Sequence, residues 1–437
     1  MSLTDDTLQL LQDLIRNGCV NNLTADSGQE ERNARTLEQF FEGTDVTVER
    51  YEPHPGRVSV AFTLEGTDPS AESLTLLGHT DVVPVDEDKW SVDPFGGEIN
   101  NGRVFGRGAT DMLYITAAMA AVVRDVAQSG TRPKGTLTFV GCADEEARGG
   151  LGAKWLADNA SFSWDNCLSE EGGSHLPAAD GSDALAVVVG EKGAGQRRLT
   201  VHGDAGHGSA PFGRDMTVAK IGEVARRIAT IEPEVRSDDI WEGYVRAWKF
   251  DPDTEQALLS GEGYEAFGQL EGYSHAMSHL TISPTVLRAG EAINVLPSVA
   301  WMELDIRPLP GQTQEEIDDL LREALGDLAD DVEITHLITE PGSVSPTSGP
   351  LFDAIVDTFD EFFPGVPVVP TIAAGGSDLR FARRKGGVGY GFALHGRDET
   401  LGSVLGELHS HDESVAVEDV DLTVRAYRSL IRRFVGA

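Results

Sequence analysis

Two adjacent carboxylates, Glu145 and Glu146, follow the apolar run Leu137–Val140 and lead through a Gly-rich turn into a helix-like stretch, Gly150–Asn159. Neighbouring acids on a strand point to opposite faces, but where the strand ends the chain turns and both can reach one cavity. There one can bind a cation while the other moves protons. An acidic doublet alone is also an ordinary solvated loop in so acidic a chain, so the pair gains meaning only from partners.

Four partners have the right chemistry. Gly78-His79-Thr80-Asp81 closes another apolar run, placing an imidazole at a strand end with a carboxylate able to take its second ring N–H. Gly106 and Gly108 precede Asp111, which is either a helix cap or a carboxylate whose two oxygens bridge two cations. Leu168-Ser169-Glu170-Glu171-Gly172-Gly173 repeats the order of apolar residue, acids and glycines, and one of its acids could be a further ligand. Leu408-His409-Ser410-His411 is a second imidazole-bearing turn, which alone could be incidental. Nitrogen and oxygen donors without thiolate suit Zn²⁺, Co²⁺ or Mn²⁺. Five ligand groups exceed one tetrahedral ion but suit two that share a bridge, leaving one carboxylate as general base.

The elements that must position these residues alternate. Leu74–Leu77 and Thr136–Cys142 read as buried strands, Met112–Val126 as a helix and Ala184–Val189 as a further strand, which predicts an α/β fold with a mostly parallel sheet and helices on both faces. The pattern changes near Glu191. Strands at 197–202, Ser283–Leu287 and Ala300–Ile306, with helices at Thr217–Ile231 and Gln314–Leu328, predict an inserted α+β lid or dimerisation unit. The expected division is residues 1–190 and 340–437 for the catalytic unit and 191–339 for the insert. Within the insert, Ser237–Ser278 is aromatic-rich and reads as irregular.

Seventy-two acids against 35 bases give a net charge of −37, which repels nucleic acid and anionic membrane and excludes both as partners. Acid-rich, lysine-poor composition also matches proteins adapted to high salt. Three scattered cysteines, Cys19, Cys142 and Cys167, form neither a disulfide framework nor a thiolate metal site, and a reducing cytoplasm is expected. The N-terminal stretch reads as an amphipathic helix, and no segment is apolar for long enough to span a bilayer.

Taken together, LLGHTDVVP (76–84), the run from Trp90 to Met112, CADEEARGG (142–150), LSEEGG (168–173), GHGSAP (206–211), INVLPSVAWMELDIRP (293–308), GGSD (375–378) and LHSHDE (408–413) resemble the M20 metallopeptidase and deacylase family across nearly the whole chain. That resemblance implies a two-metal hydrolase, with Zn²⁺ ions or alternatively Co²⁺ or Mn²⁺, cleaving the amide bond of an N-acyl amino acid or short peptide that carries a free carboxylate. It implies that His79, Asp111 and Glu171 hold one ion, that Asp111 bridges, and that Glu146 and His409 complete the other. Glu171 is chosen over Glu170 because it directly precedes the glycines. Glu145 would be the base acting on the bridging water, and Asp81 would orient His79. His207 would stabilise the oxyanion, often from the partner subunit of a homodimer built through the insert. Asn294 and Arg307 would bind the substrate's backbone or carboxylate, and Gly375, Gly376 and Ser377 would wrap that carboxylate with backbone N–H groups. Arg307 could instead pair with Asp305.

One departure from relatives is Leu113, where many members have lysine. A succinyl-diaminopimelate desuccinylase-like deacylase would need cations for a second carboxylate, for which Arg380, Arg383 and Arg384 are candidates or else simply solvated. A non-catalytic homologue binding small acids would lack a ligand or base, and none is missing.

Overall fold

The computed structural model describes residues 2–437. Its central sheet has six strands, in the spatial order Thr47–His54, Arg57–Leu64, Leu137–Cys142, Leu74–His79, Asn166–Ser169 and Val388–Gly391. The first two pairings are antiparallel and the remaining three parallel. The strands Leu74–His79 and Leu137–Cys142 are buried along their whole length, which explains their unbroken apolar reading. The hairpin at 47–64, with its bulge near Tyr51, has a mixed polar first strand that carries little periodic signal.

The helix Tyr114–Gln128 is buried around most of its circumference, lying between the sheet and the helices Leu3–Asn17 and Val417–Val435. Leu3–Asn17 starts in a capping box between Ser2 and Asp5 and stops at Gly18, whose φ of 54° is the left-handed turn that glycine accepts freely. Helices Pro350–Phe362 and Leu379–Arg384 complete the covering layers.

A separate antiparallel sheet runs in the order Thr281–Ala289, Val299–Arg307, Arg197–His202, Val332–His336. The helices Thr217–Ile228 and Gln314–Leu325 cover one of its faces and share with it a hydrophobic core of their own. The edge strand Thr281–Ala289 is largely exposed and is bulged between Pro284 and Val286, a device that protects a free edge.

The segment expected to be irregular, Ser237–Ser278, is helical instead. Asp238 and Asp251 cap the helices Asp239–Ala247 and Pro252–Leu259, and Glu271–Ser278 follows. Short helices interrupted by glycine blur a 3.6-residue period. Its aromatic residues Trp241, Tyr244, Trp248 and Phe267 join the core of the central sheet's layer, not that of the insert.

Under the hairpin, Phe62 stacks on Phe41 with ring centroids 4.1 Å apart and lies 5.9 Å from Phe139, fully buried. Phe62→Ala is expected to reduce stability by about 3–5 kcal/mol, read from denaturant unfolding, because the flanking rings cannot close the cavity.

Candidate active site

Three adjacent parallel strands end along one edge of the central sheet, where open α/β sheets present their sites. His79 ends the middle strand, directly across from Cys142. Beyond Cys142 the chain turns through Glu145 and Glu146, and on the other flank Asn166–Ser169 runs into Glu170 and Glu171. Asp111 enters from the loop before helix Tyr114–Gln128, and His409 from the turn after helix Leu401–Glu407.

These groups form two triads with Asp111 in common. His79 Nε2 lies 3.1 Å from Asp111 Oδ1 and 3.4 Å from Glu170 Oε2. His409 Nε2 lies 3.2 Å from Asp111 Oδ2 and 3.5 Å from Glu146 Oε2. Both sets, His79–Asp111–Glu170 and Asp111–Glu146–His409, are compact enough to hold a metal ion. The donors fit that role. His79 Nδ1 donates to the Asp81 carbonyl at 3.0 Å, which turns Nε2 toward the carboxylates, and the buried Glu146 Oε1 has no hydrogen-bond partner.

The sequence reading chose Glu171 for the first triad, but the structure puts Glu170 there. Consecutive residues leaving a strand project to opposite sides. Glu170 reaches His79, while Glu171, with a left-handed φ of 64°, turns into the cavity wall. Asp144, Arg148 and His409 also have positive φ. Several non-glycine residues in that conformation around one site mark turns held in place by their surroundings.

The electrostatics are those of a site crowded with negative charge. Burial pushes Glu170 up to about 8, and burial together with the nearby Asp111 pushes Glu171 up to about 7. Glu145 is raised well above the usual range by burial, then by Glu170 and Asp378. Against its own burial, Asp111 is held low by hydrogen bonds from His409 and His79. Hydrogen bonds to Asp111 and Glu146 lift His409 to about 10. A cation can take over the neutralising role that protons play in this set.

Two buried clamps fix the ligand turns. The carboxylate of Glu413 accepts the backbone N–H groups of Gly108, Thr110 and Asp111, and it pairs with Arg107 at 2.6 Å. Arg107 in turn donates to the carbonyl of His409. Asp81 acts chiefly on the Glu145–Glu146 doublet: its carboxylate accepts the N–H groups of both residues, at 3.1 and 3.2 Å, and lies 3.7 Å from His79 Nδ1. Behind it, fully buried Arg57 binds Glu30 at 2.7 Å and Asp144 at 2.6 Å.

The cavity in front of the triads has a volume of about 560 Å³. Arg307, Gly375, Gly376 and Ser377 line it, as do Arg148, Lys192, Arg380 and Arg384. Arg307 is also paired with Asp305 at 2.9 Å, the alternative partner the sequence offered. Ser377 does not fit its expected role, because its N–H and hydroxyl both donate to Glu191. Arg383 is buried against Ser345, Gly389 and Glu191 and does not line the cavity. Lys192 was missed by sequence reasoning. It is 3% exposed, donates to His279 O and Thr281 Oγ1, and is held down to about 7 by burial and by Arg307. Its signal was being one of few lysines, inside the Gly-rich crossing Gly190–Gly195.

His207 and Asn294 are not among the lining residues. They sit on the exposed ribbon pairing Gly206–His207 with Val295–Leu296 in the inserted unit. His207 Nδ1 accepts the Ser209 N–H, which leaves Nε2 as the donor.

The chain matches the family described as Peptidase family M20/M25/M40 over residues 75–433. It is 27% identical to succinyl-diaminopimelate desuccinylase of Rhodospirillum centenum, covering 100% of this chain and 99% of that protein. It is 25% identical to an N-fatty-acyl-amino acid synthase/hydrolase of Xenopus tropicalis, covering 95% of this chain and 84% of the relative. Among solved structures it resembles an M20 family metallo-carboxypeptidase from Sulfolobus solfataricus, with a TM-score of 0.75, 17% identity, and 99% and 100% of the two chains covered. A dinuclear metal-binding M20 peptidase of Bacillus subtilis shares the fold with a TM-score of 0.58 at 14% identity, covering 99% of each chain.

Glu413→Gln removes the charge that gathers the Asp111 loop and faces Arg107. We expect Zn²⁺ affinity, measured by chelator competition, to fall about 10–100-fold.

Proposed function

The chain belongs to the M20/M25/M40 peptidase family of metal-dependent hydrolases, and from that premise we propose that it cleaves the amide bond of an N-acyl amino acid or short peptide bearing a free carboxylate. The observation that carries this reading is the pairing, in one cavity, of two imidazole–carboxylate triads with a separate buried carboxylate, Glu145, and a cluster of cations. In this reading His79, Asp111 and Glu170 hold one divalent ion and Asp111, Glu146 and His409 the other, with Zn²⁺ favoured over Co²⁺ or Mn²⁺ by the donor set. When bound, such a pair lowers the pKa of the attacking water and polarises the scissile carbonyl.

Glu145 takes the proton from that water and delivers it to the leaving amine nitrogen. Burial raises its proton affinity above that of an ordinary carboxylate, which suits a group that must first accept a proton. Arg380 Nη1, 3.8 Å from Glu145 Oε1, favours the ionised form that Glu145 holds before it takes the proton and regains once it has delivered it. Lys192 and Arg307 receive the substrate carboxylate. The Nε2–H of His207 stabilises the tetrahedral oxyanion, a contribution of about 3–4 kcal/mol in comparable sites.

Because His207 and Asn294 stand off the cavity of their own chain, we assign them to the cavity of a second copy, in a homodimer formed through residues 191–339. The fully exposed Phe212 and Ile293 on the same ribbon, and the free edge Thr281–Ala289, support that surface. Three buried free cysteines suit a reducing cytoplasm, and among the described residues no helix is long and apolar enough to cross a membrane. The acid-rich composition suits high salt.

Glu145→Gln keeps the cluster's ligands and removes the proton acceptor. Turnover of an N-acyl amino acid panel should fall at least about 10²–10⁴-fold while two metal equivalents remain bound by elemental analysis. Retained turnover contradicts the assigned base.

Lys192 gives a pH signature. Protonated below about 7, it holds the substrate carboxylate; neutral above that, it does not. KM should therefore rise about fivefold between pH 7 and 8. Lys192→Arg should flatten this limb, and Lys192→Met should raise KM at every pH.

A further inference from the structure

The chain passes repeatedly between the central sheet's layer and the inserted sheet, because the helices at 239–278 pack into the core of the former. The crossings lie near residues 192–196, 229–238, 279–280 and 337–342, and they are bound to one another. Ala194 and Glu340 exchange backbone hydrogen bonds, at 2.8 and 2.7 Å. A Cβ at Gly193 would collide with the Glu340 carbonyl, so glycine is what lets these two crossings approach so closely. Lys192 Nζ donates to the His279 carbonyl, and the Arg236 N–H donates to the Ser278 carbonyl at 2.7 Å. The result is one band of chain, and it carries the groups assigned to the substrate carboxylate. Lys192 is part of it, and the Gly193 N–H donates to the carbonyl of Pro308, the residue after Arg307.

Glu340 fastens this band to the turn of the general base. Its Oε2 accepts from Arg148 Nη2 at 2.7 Å and stands 3.7 Å from Arg384 and 3.9 Å from Arg380. Arg148 closes the turn that holds Glu145 and Glu146, its N–H donating to the Glu145 carbonyl at 2.7 Å. Arg380 stands between the two acids, 3.8 Å from Glu145. One carboxylate thus links the base that acts at the amide nitrogen to the band of cations that takes the substrate's carboxylate.

The separation of those two halves decides which amides can react, since the substrate must reach both at once. We propose that Glu340 is a positioning residue that sets this separation and so determines specificity: it confines cleavage to amides with a single carbon between nitrogen and carboxylate, those of α-amino acids. This rests on the amidohydrolase reading and on its assignment of Lys192 and Arg307. The preference for the shortest spacing follows from the compactness of the link, in which one guanidinium spans the gap from Glu145 to Glu340. A misplacement of about 1 Å can cost about 10²-fold in rate, and one added methylene, with its C–C bond of about 1.5 Å, exceeds it.

The test uses glycine, β-alanine and 4-aminobutyrate carrying one common acyl group, which differ only in that spacing. They are compared on the metal-loaded enzyme below pH 7, where Lys192 is protonated. We expect kcat/KM of the wild type to fall about 10²-fold from the glycine to the β-alanine derivative and further for the third. Glu340→Gln removes an anion and Arg148→Gln a cation, so the two variants break the same tie while changing the cavity's charge in opposite senses. Neither residue belongs to a ligand triad, and two metal equivalents should remain bound in both. In each variant the glycine derivative should lose the most, narrowing the difference between the glycine and β-alanine derivatives to about tenfold or less. A wild type indifferent to spacing overturns the proposal. So does an equal loss on all three amides in the variants, a full preference retained in both, or shifts of opposite sign that follow charge alone.

Binding separates failure of this proposal from failure of the function. If the wild type hydrolyses none of the three amides, the amidohydrolase reading falls, and the tie is judged by calorimetry of the same intact amides on the metal-loaded proteins. Affinity for the wild type should decline from the glycine to the 4-aminobutyrate derivative, and both variants should level that decline. Equal affinities for the wild type, or none measurable, overturn it.

Discussion

Asp111 turns one oxygen to His79 and the other to His409, and this double contact joins a strand end of the central sheet to a turn near the C-terminus. A carboxylate can hold that pose only if its backbone is fixed, because a small rotation would break one of the two contacts. Glu413 supplies the fixation, drawing three loop N–H groups, those of Gly108, Thr110 and Asp111, onto one carboxylate. Arg107 neutralises that carboxylate and reaches the carbonyl of His409. The same ion pair therefore governs both sides of the bridge. Removing one partner of such a buried pair leaves an uncompensated charge, which is far more damaging than never having built it. The Glu145–Glu146 doublet has an equivalent support in Asp81, with Arg57, Glu30 and Asp144 packed behind it.

Much of this arrangement was legible in the sequence because strand ends leave a readable mark. An unbroken apolar run followed by acids or histidine and then glycine described His79, Glu145 and Glu146, and the parallel order of the strands brings them to one edge. Which member of a doublet faces inward was not legible. The choice between Glu170 and Glu171 depends on the backbone after Ser169, and a left-handed residue such as Glu171 leaves no compositional trace when it is not glycine. The helices at 239–278 were hidden for a related reason. They are short, they are capped by aspartates in an already acidic region, and their apolar residues are aromatic on several sides because they fill a core between layers. Ser377 failed as a substrate ligand because nothing in a GGSD turn reveals that Glu191, far away in sequence, engages both of its donors.

Cations are scarce in this chain, and where they are buried they do specific work. With 35 bases against 72 acids, most arginines can be expected to sit in exposed pairs of small energetic value. Arg57, Arg107, Arg380 and Lys192 are instead among the most buried charged groups in the molecule. Each lies behind or beside the same cavity. Arg57 and Arg107 carry partners at 2.6 Å and support turns. Pairing is nonetheless incomplete in three of them: Arg107 Nε and Arg380 Nε are each buried without a hydrogen-bond partner, and Lys192 Nζ has two acceptors for three donors. A buried cation with donor capacity to spare is costly unless an anion completes it. Of these, Arg380 and Lys192 line the cavity in front of the triads. An anion entering that cavity meets donor capacity that is already desolvated, which is where a buried cation with a free donor gains most.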